Sequence, residues 1–200
     1  MNKPVFIMDL DGVLTDGCFL YDASGKAYKT FGPDDADALK LIKDKVELVF
    51  VSADHRGFPI STKRINDMGY ELTNVKSSER LEWIKSRWNL KDVIYMGDSF
   101  VDIPIFQNVG TSICPNDGFW FAKRFATYVT IHNGGQRAVA DAVFWIAKKI
   151  LNIDEFDLLG IPRRYNNEQS EYSIEYDEFK TNDKELNYAF DCLGLNNKGE

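Results

Sequence analysis

Two hundred residues, with 24 Lys and Arg against 31 Asp and Glu, carry a net charge of −7. The length suits one ordinary domain, and a chain that is 44% hydrophobic and 14% aromatic can build a core, which excludes wholesale disorder. Residues 154–200 hold 12 acidic and 5 basic side chains, leaving 19 of each in residues 1–153; with no dense basic run, a nucleic-acid partner bound through counterion release is not expected.

In chain order, Val5-Phe6-Ile7-Met8 is a continuous apolar run, as in a strand buried on both faces, and it ends in Asp9-Leu10-Asp11-Gly12. Residues 18–31 alternate loosely around Asp22-Ala23-Ser24-Gly25, which predicts a β-hairpin. A helix is expected over Ala36–Ile42, then a buried strand from Val46 to Val51 ending at Ser52, then a helix to Met68 closed by Gly69. A strand over Tyr70–Val75 precedes a helix over Ser77–Trp88, and Asp92–Met96 is a strand ending in Gly97-Asp98. A short helix near 101–107 follows, then a strand over Val109–Ile113 and a helix capped by Asn116 or Asp117 that includes Trp120 and Phe121. A strand over Thr127–Ile131 and an amphipathic helix over Ala138–Leu151 complete the pattern. Strands alternating with helices predict an α/β fold: a Rossmann-like three-layer sandwich on a mostly parallel sheet. The expected division is a core over 1–153 and an acidic, Tyr-rich extension over 154–200, in which Tyr172, Tyr176 and Phe179 share a helical spacing.

Cys18, Cys114 and Cys192 are widely spaced and form no CxxC pair or metal-ligand set, which suits reduced thiols. The first apolar run is too short for a signal-peptide core, and no run approaches the roughly 20 residues that span a bilayer. A cytoplasmic protein with no membrane partner is expected.

In an open parallel sheet, ligands collect beyond the carboxyl ends of the strands. Four polar groups fall there: Asp9 with Asp11, Ser52, Lys76 at a helix start, and Asp98 with Asp102. An acidic residue after a strand is usually a cap or a turn former, but four groups at matching strand ends call for another reason. Asp9 and Asp11, two apart, lean the same way in an extended chain. Two carboxylates at a buried strand end repel each other and are desolvated, which a divalent cation offsets. Asp98 adds a hard oxygen of the kind Mg²⁺ prefers. A carboxylate nucleophile, Mg²⁺, a lysine and a serine together describe a phosphoryl-transfer site. No GxxxxGK[ST] or GxGxxG motif is present, and His55 and His132 are isolated.

The segment MDLDGVLTDG, then Ser52, Lys76 and GDSFVD, resembles the four motifs of the haloacid dehalogenase superfamily. The hairpin after the first motif, Pro104 and Gly134-Gly135 resemble its capless subgroup, which contains 3-deoxy-D-manno-octulosonate 8-phosphate phosphatase and related nine-carbon sugar-acid phosphatases. The resemblance covers residues 1–153 and implies a β-hairpin flap without a cap domain. It implies that Asp9 attacks phosphorus to form an aspartyl-phosphate, and that Asp11 protonates the leaving oxygen and then deprotonates water. It further implies that Asp9, Asp98 and the carbonyl of Asp11 hold Mg²⁺, that Ser52 and Lys76 bind the phosphoryl oxygens, and that Asp102 orients Lys76 or water. A homotetramer is implied, with Cys18–Phe31 making intersubunit contacts and a segment from Gly134 onward reaching a neighbour's site.

The chain departs from the subgroup where a sugar carboxylate would bind. Asp34-Asp35-Ala36 stands for Arg-Asp-Gly, Ser52-Ala53-Asp54 for Thr-Gly-Arg, and Gly134-Gly135-Gln136-Arg137-Ala138-Val139-Ala140-Asp141 for Gly-Gly-x-Gly-Ala-x-Arg-Glu. Arg56 and Arg137 are the candidate substrate contacts that remain. The expected activity is therefore a sugar-phosphate phosphatase with reduced preference for the sugar acid. The alternatives are a phosphatase for a nucleotide or nucleic-acid end, and a catalytically idle homologue that binds a partner through its acidic tail.

Overall fold

The computed structural model describes residues 3–163. Six strands form one sheet: β1 (Val5–Met8), β4 (Glu47–Ser52), β5 (Leu72–Asn74), β6 (Val93–Met96), β7 (Thr111–Cys114) and β8 (Tyr128–Val129). Their spatial order is β5-β4-β1-β6-β7-β8 and every pairing is parallel. The hairpin β2 (Leu20–Asp22) and β3 (Gly25–Tyr28) stands apart as a separate antiparallel pair, and among the described residues it is the insertion between β1 and the first helix, α1 (Asp34–Ile42). No cap domain is present among the described residues. No described helix is long and apolar enough to cross a membrane.

Period-two alternation divides each central strand between two cores. Phe6, Met8, Phe50, Ile94 and Met96 face a cluster with α1 and α5 (Ala138–Lys149). Val5, Ile7, Val51, Val93 and Tyr95 face the other side, against α3 (Ser77–Lys85) and α4 (Ile103–Phe106). Ile65 of α2 (Phe58–Asp67) joins the first cluster. The result is the three-layer sandwich the alternating pattern predicts.

From β1 the chain builds outward to β4 and β5, then returns to add β6, β7 and β8 on the other side. That reversal opens a crevice at the carboxyl end of β1, the place where such sheets bind ligands. The backbone N–H of Asp9 donates to the carbonyl of Met96 at 2.9 Å, which seats the residue after β1 on its neighbour.

One expected helix is absent. Residues 115–121 form a loop, and only a short 3₁₀ turn follows at Ala122–Phe125. The N–H of Phe119 donates to the carbonyl of Asp98 at 2.6 Å, and Asp117 accepts from the N–H of Gly134 at 2.8 Å instead of capping. Bonds to neighbouring loops thus replace those a helix start would make. Beyond residue 153, α6 (Glu155–Leu159) is capped by Asp154, and its Leu158 packs on the first core. The aromatic residues Tyr172, Tyr176 and Phe179, and Cys192, lie outside the described residues.

Candidate active site

The chain turns immediately after β1. The carbonyl of Leu10 accepts from the N–H groups of Leu14 and Thr15, and Thr15 Oγ1 accepts from those of Gly12 and Gly17. Beyond this turn Asp9 pairs with Arg80 and Asp11 with Lys29, while the Asp9 charge still acts on the Asp11 carboxyl. Gly12 sits at φ +83°, and a Cβ there would lie 2.1 Å from Asp98 Oδ2. Only glycine tolerates both demands.

Oxygens of Asp9, Asp98 and Asp102 lie within 4.8 Å of one another. Burial, then the neighbouring Asp9 and Asp102 charges, push the Asp98 carboxyl up to about 8. Burial also raises Asp9, against the opposing pull of Arg80. Three hard oxygen donors crowded at mutual cost fit a divalent cation of the magnesium type. Asp102 is the most occupied of the three: Tyr95 Oη donates to its Oδ1 at 2.6 Å and the N–H of Ser99 to its Oδ2 at 3.0 Å.

The cation that meets these carboxylates is Arg80, which sequence reasoning missed. It is 1% exposed, and its Nη1 lies 2.9 Å from Asp9 Oδ2 and donates to Tyr95 Oη at 2.7 Å. Burial opposes the charge on the guanidinium, and the Asp9 and Asp102 carboxylates beside it outweigh that and keep it protonated. Lys76, expected in this role, is a solvent-facing residue 75% exposed and paired with Glu79 at 3.1 Å. Lys76 precedes α3 as its N-cap, with ψ at 140°, whereas Arg80 lies within the helix and reaches the carboxylates. The available signal was Arg80 sharing the apolar stripe of Ile84 at i, i+4 spacing. Lys76 instead lines a cavity of about 720 Å³ with Ala53, Leu81, Val101 and Pro104.

Ser52 is 1% exposed at the end of β4, and its Oγ accepts from the N–H of Asp54 at 3.1 Å. A hydroxyl that accepts in this way retains its O–H for an anion. Arg56 is exposed beyond that turn. Arg137 lies at the surface with Nε donating to Asp34 Oδ2 at 2.6 Å, so the two replacements engage each other. Asp35 is buried and accepts from the N–H of Ala140 at 2.9 Å, which places it at the start of α5 instead of before a substrate. His132 pairs with Asp141 at 2.9 Å.

A second set of missed residues comes from the hairpin. Lys29, just after β3, has a fully buried side chain whose Nζ lies 2.7 Å from Asp11 Oδ1 and 2.8 Å from Asp54 Oδ2. It also donates to Ser61 Oγ at 2.8 Å. Lys26 adds an ion pair to Asp54 Oδ1 at 2.5 Å. Burial raises the Asp11 carboxyl, with Lys29 opposing. Asp54, although desolvated, is held down to about 2 by its bonds to Lys26 and Lys29.

Comparison with known proteins places the chain in a family. A haloacid dehalogenase-like hydrolase model matches residues 74–143. The 3-deoxy-D-manno-octulosonate 8-phosphate phosphatase of Haemophilus influenzae is 33% identical over 143 residues, covering 68% of this chain and 78% of that protein. A cobalt-bound structure of the Haemophilus influenzae phosphatase superposes with a TM-score of 0.65 at 30% identity, covering 74% of this chain and 88% of that one. The Moraxella catarrhalis enzyme, in complex with magnesium, phosphate and the sugar acid, has the same fold, with a TM-score of 0.66 at 24% identity over 76% of this chain and 90% of its own.

Proposed function

The chain belongs to the haloacid dehalogenase-like hydrolases, as a phosphatase, and we propose that it hydrolyses a small sugar phosphate through an aspartyl-phosphate on Asp9. The observation that carries this reading is the meeting of Asp9, Asp98 and Arg80 at the carboxyl end of the central strand. A dianionic phosphate approaches a carboxylate nucleophile only where positive charge offsets the repulsion. Asp9 and Asp98, from the cluster they form with Asp102, and the carbonyl of Asp11 that the family resemblance adds would hold Mg²⁺, which would supply charge neutralisation for the phosphoryl oxygens.

Arg80 and Ser52 bind the phosphoryl oxygens in this scheme, and Asp102 keeps Arg80 in place through Tyr95. An Asp9 oxygen bonds to phosphorus as the ester bond breaks, and the leaving oxygen takes the electron pair and the proton of Asp11. Asp11 then takes a proton from water, whose oxygen displaces Asp9 from phosphorus.

None of the three replaced arginine positions carries a cation: Asp34 is engaged by Arg137, Asp54 by Lys26 and Lys29, and the third position is Ala140. This supports a preference for neutral sugar phosphates over the octulosonate ester. The hairpin exposes Leu20, Tyr21 and Tyr28, each more than half accessible, which supports self-association through it into a homotetramer.

Phosphate release from a panel of phosphomonoesters, with Mg²⁺ and then EDTA, tests the reading. Metal-dependent turnover of sugar phosphates is expected, and no turnover of any ester overturns it. A kcat/KM ratio of ~10³ or more in favour of the octulosonate ester, about 4 kcal/mol, would contradict the neutral preference. A dilution-stable, fully active monomer by light scattering would contradict the assembly.

A further inference from the structure

The ammonium of Lys29 is enclosed completely, a location costly for a charge unless every donor is met. The ammonium meets three partner groups: it donates to Asp11 Oδ2 at 3.0 Å and to Ser61 Oγ at 2.8 Å, and it forms an ion pair with Asp54 Oδ2 at 2.8 Å. These partners come from separate parts of the fold: the turn after β1, the loop after β4 and helix α2. Lys26 braces the arrangement by binding the other oxygen of Asp54 while lying over the Phe19 ring, 3.5 Å from its centroid. Lys29 also reaches both oxygens of Asp11, at 2.7 and 3.0 Å.

We propose that Lys29 is a positioning residue for the proton-transfer carboxyl of Asp11, fixed for that purpose by Asp54 and Ser61. The inference rests on the phosphatase reading above, in which Asp11 serves the leaving group. Proton transfer needs heavy atoms within hydrogen-bond reach, and a displacement of about 1 Å can cost ~10²-fold in rate. As the bond from phosphorus to the leaving oxygen breaks, that oxygen keeps the electron pair and forms a bond to the Asp11 proton. Asp11 becomes an anion beside the Lys29 ammonium, which stabilises it until it recovers a proton from the attacking water. The hairpin thereby serves the chemistry of its own subunit.

The test compares two leaving groups. A sugar phosphate departs as a poor alkoxide and needs the proton; p-nitrophenyl phosphate departs as a stable phenolate and needs it far less. Lys29→Met is expected to lower kcat for the sugar ester by ~10²-fold with KM little changed. That loss should exceed its loss on the aryl ester at least tenfold, the pattern expected of Asp11→Asn. Asp54→Asn should show the same skew at smaller amplitude, and it serves if Lys29→Met does not fold, as judged by thermal melting. Equal losses on both esters in folded variants, or no loss, would overturn the role of Lys29 alone. A wild-type protein inactive on both esters would overturn the phosphatase reading and this role with it.

Discussion

Arg80 Nη1 lies 2.9 Å from Asp9 Oδ2, so a cation from the first turn of α3 meets the anion at the end of β1 across the face of the sheet. Its position is held by Tyr95, which receives a hydrogen bond from Arg80 and donates one to Asp102. Lys76 and Arg80 should therefore differ sharply when removed. Arg80→Met is expected to reduce kcat/KM by ~10²–10³, the scale for losing one preorganised donor to developing charge. Lys76→Ala should change it less than about tenfold, through the cavity it lines. Steady-state kinetics on one sugar phosphate checks both; equal losses would return Lys76 to the phosphate.

The two carboxylates of the first turn should separate by function. Asp9→Asn is expected to abolish turnover, because an amide oxygen is a poor nucleophile and a weaker Mg²⁺ ligand. Asp11→Asn should leave metal affinity largely intact yet slow leaving-group departure by ~10²–10⁴. Calorimetric titration with Mg²⁺ alongside kinetics distinguishes the two. Near-normal activity in the Asp9 variant would sink the mechanism.

Gly12 links backbone geometry to metal binding. With φ at +83° and a new Cβ 2.1 Å from Asp98 Oδ2, Gly12→Ala must displace the carboxylate or the turn. A stability loss of about 1–3 kcal/mol is expected by urea denaturation, with weakened Mg²⁺ affinity. Unchanged affinity in the variant would show that Asp98 is free to move without consequence for the metal.

The pairing of Asp54 gives a pH dependence of definite sign. Its folded-state carboxyl is held down to about 2 from an ordinary 3.8, chiefly by Lys26 and Lys29 against a desolvation penalty. The stabilisation is complete above the ordinary value and is lost as pH falls through the folded one. Asp54→Asn should cost about 1–2 kcal/mol at neutral pH, after allowance for solvent screening, with the difference from wild type closing between about pH 4 and pH 2. Chemical denaturation across that range measures it, and a constant difference would mean that the ion pairs contribute nothing.

The chain's own pattern determined the sheet and where its chemistry lies. Val5–Met8 and Val93–Met96 read as buried strands because a run apolar at every position suits a strand covered on both faces, and parallel pairing then brings Asp9, Ser52 and Asp98 to one edge. Choosing between Lys76 and Arg80 was beyond it. Lys76 is the N-cap of α3 and Arg80 lies within it, and only the docking of α3 decides which of them reaches the carboxylates and which meets water. Lys29, Asp54 and Ser61 are separated by up to 32 residues and share no motif, so their convergence on Asp11 depends on where the hairpin folds back. The loop over 115–121 escaped for the same reason: its N–H groups find acceptors on a neighbouring loop, and that competition is settled only when the loops are brought together.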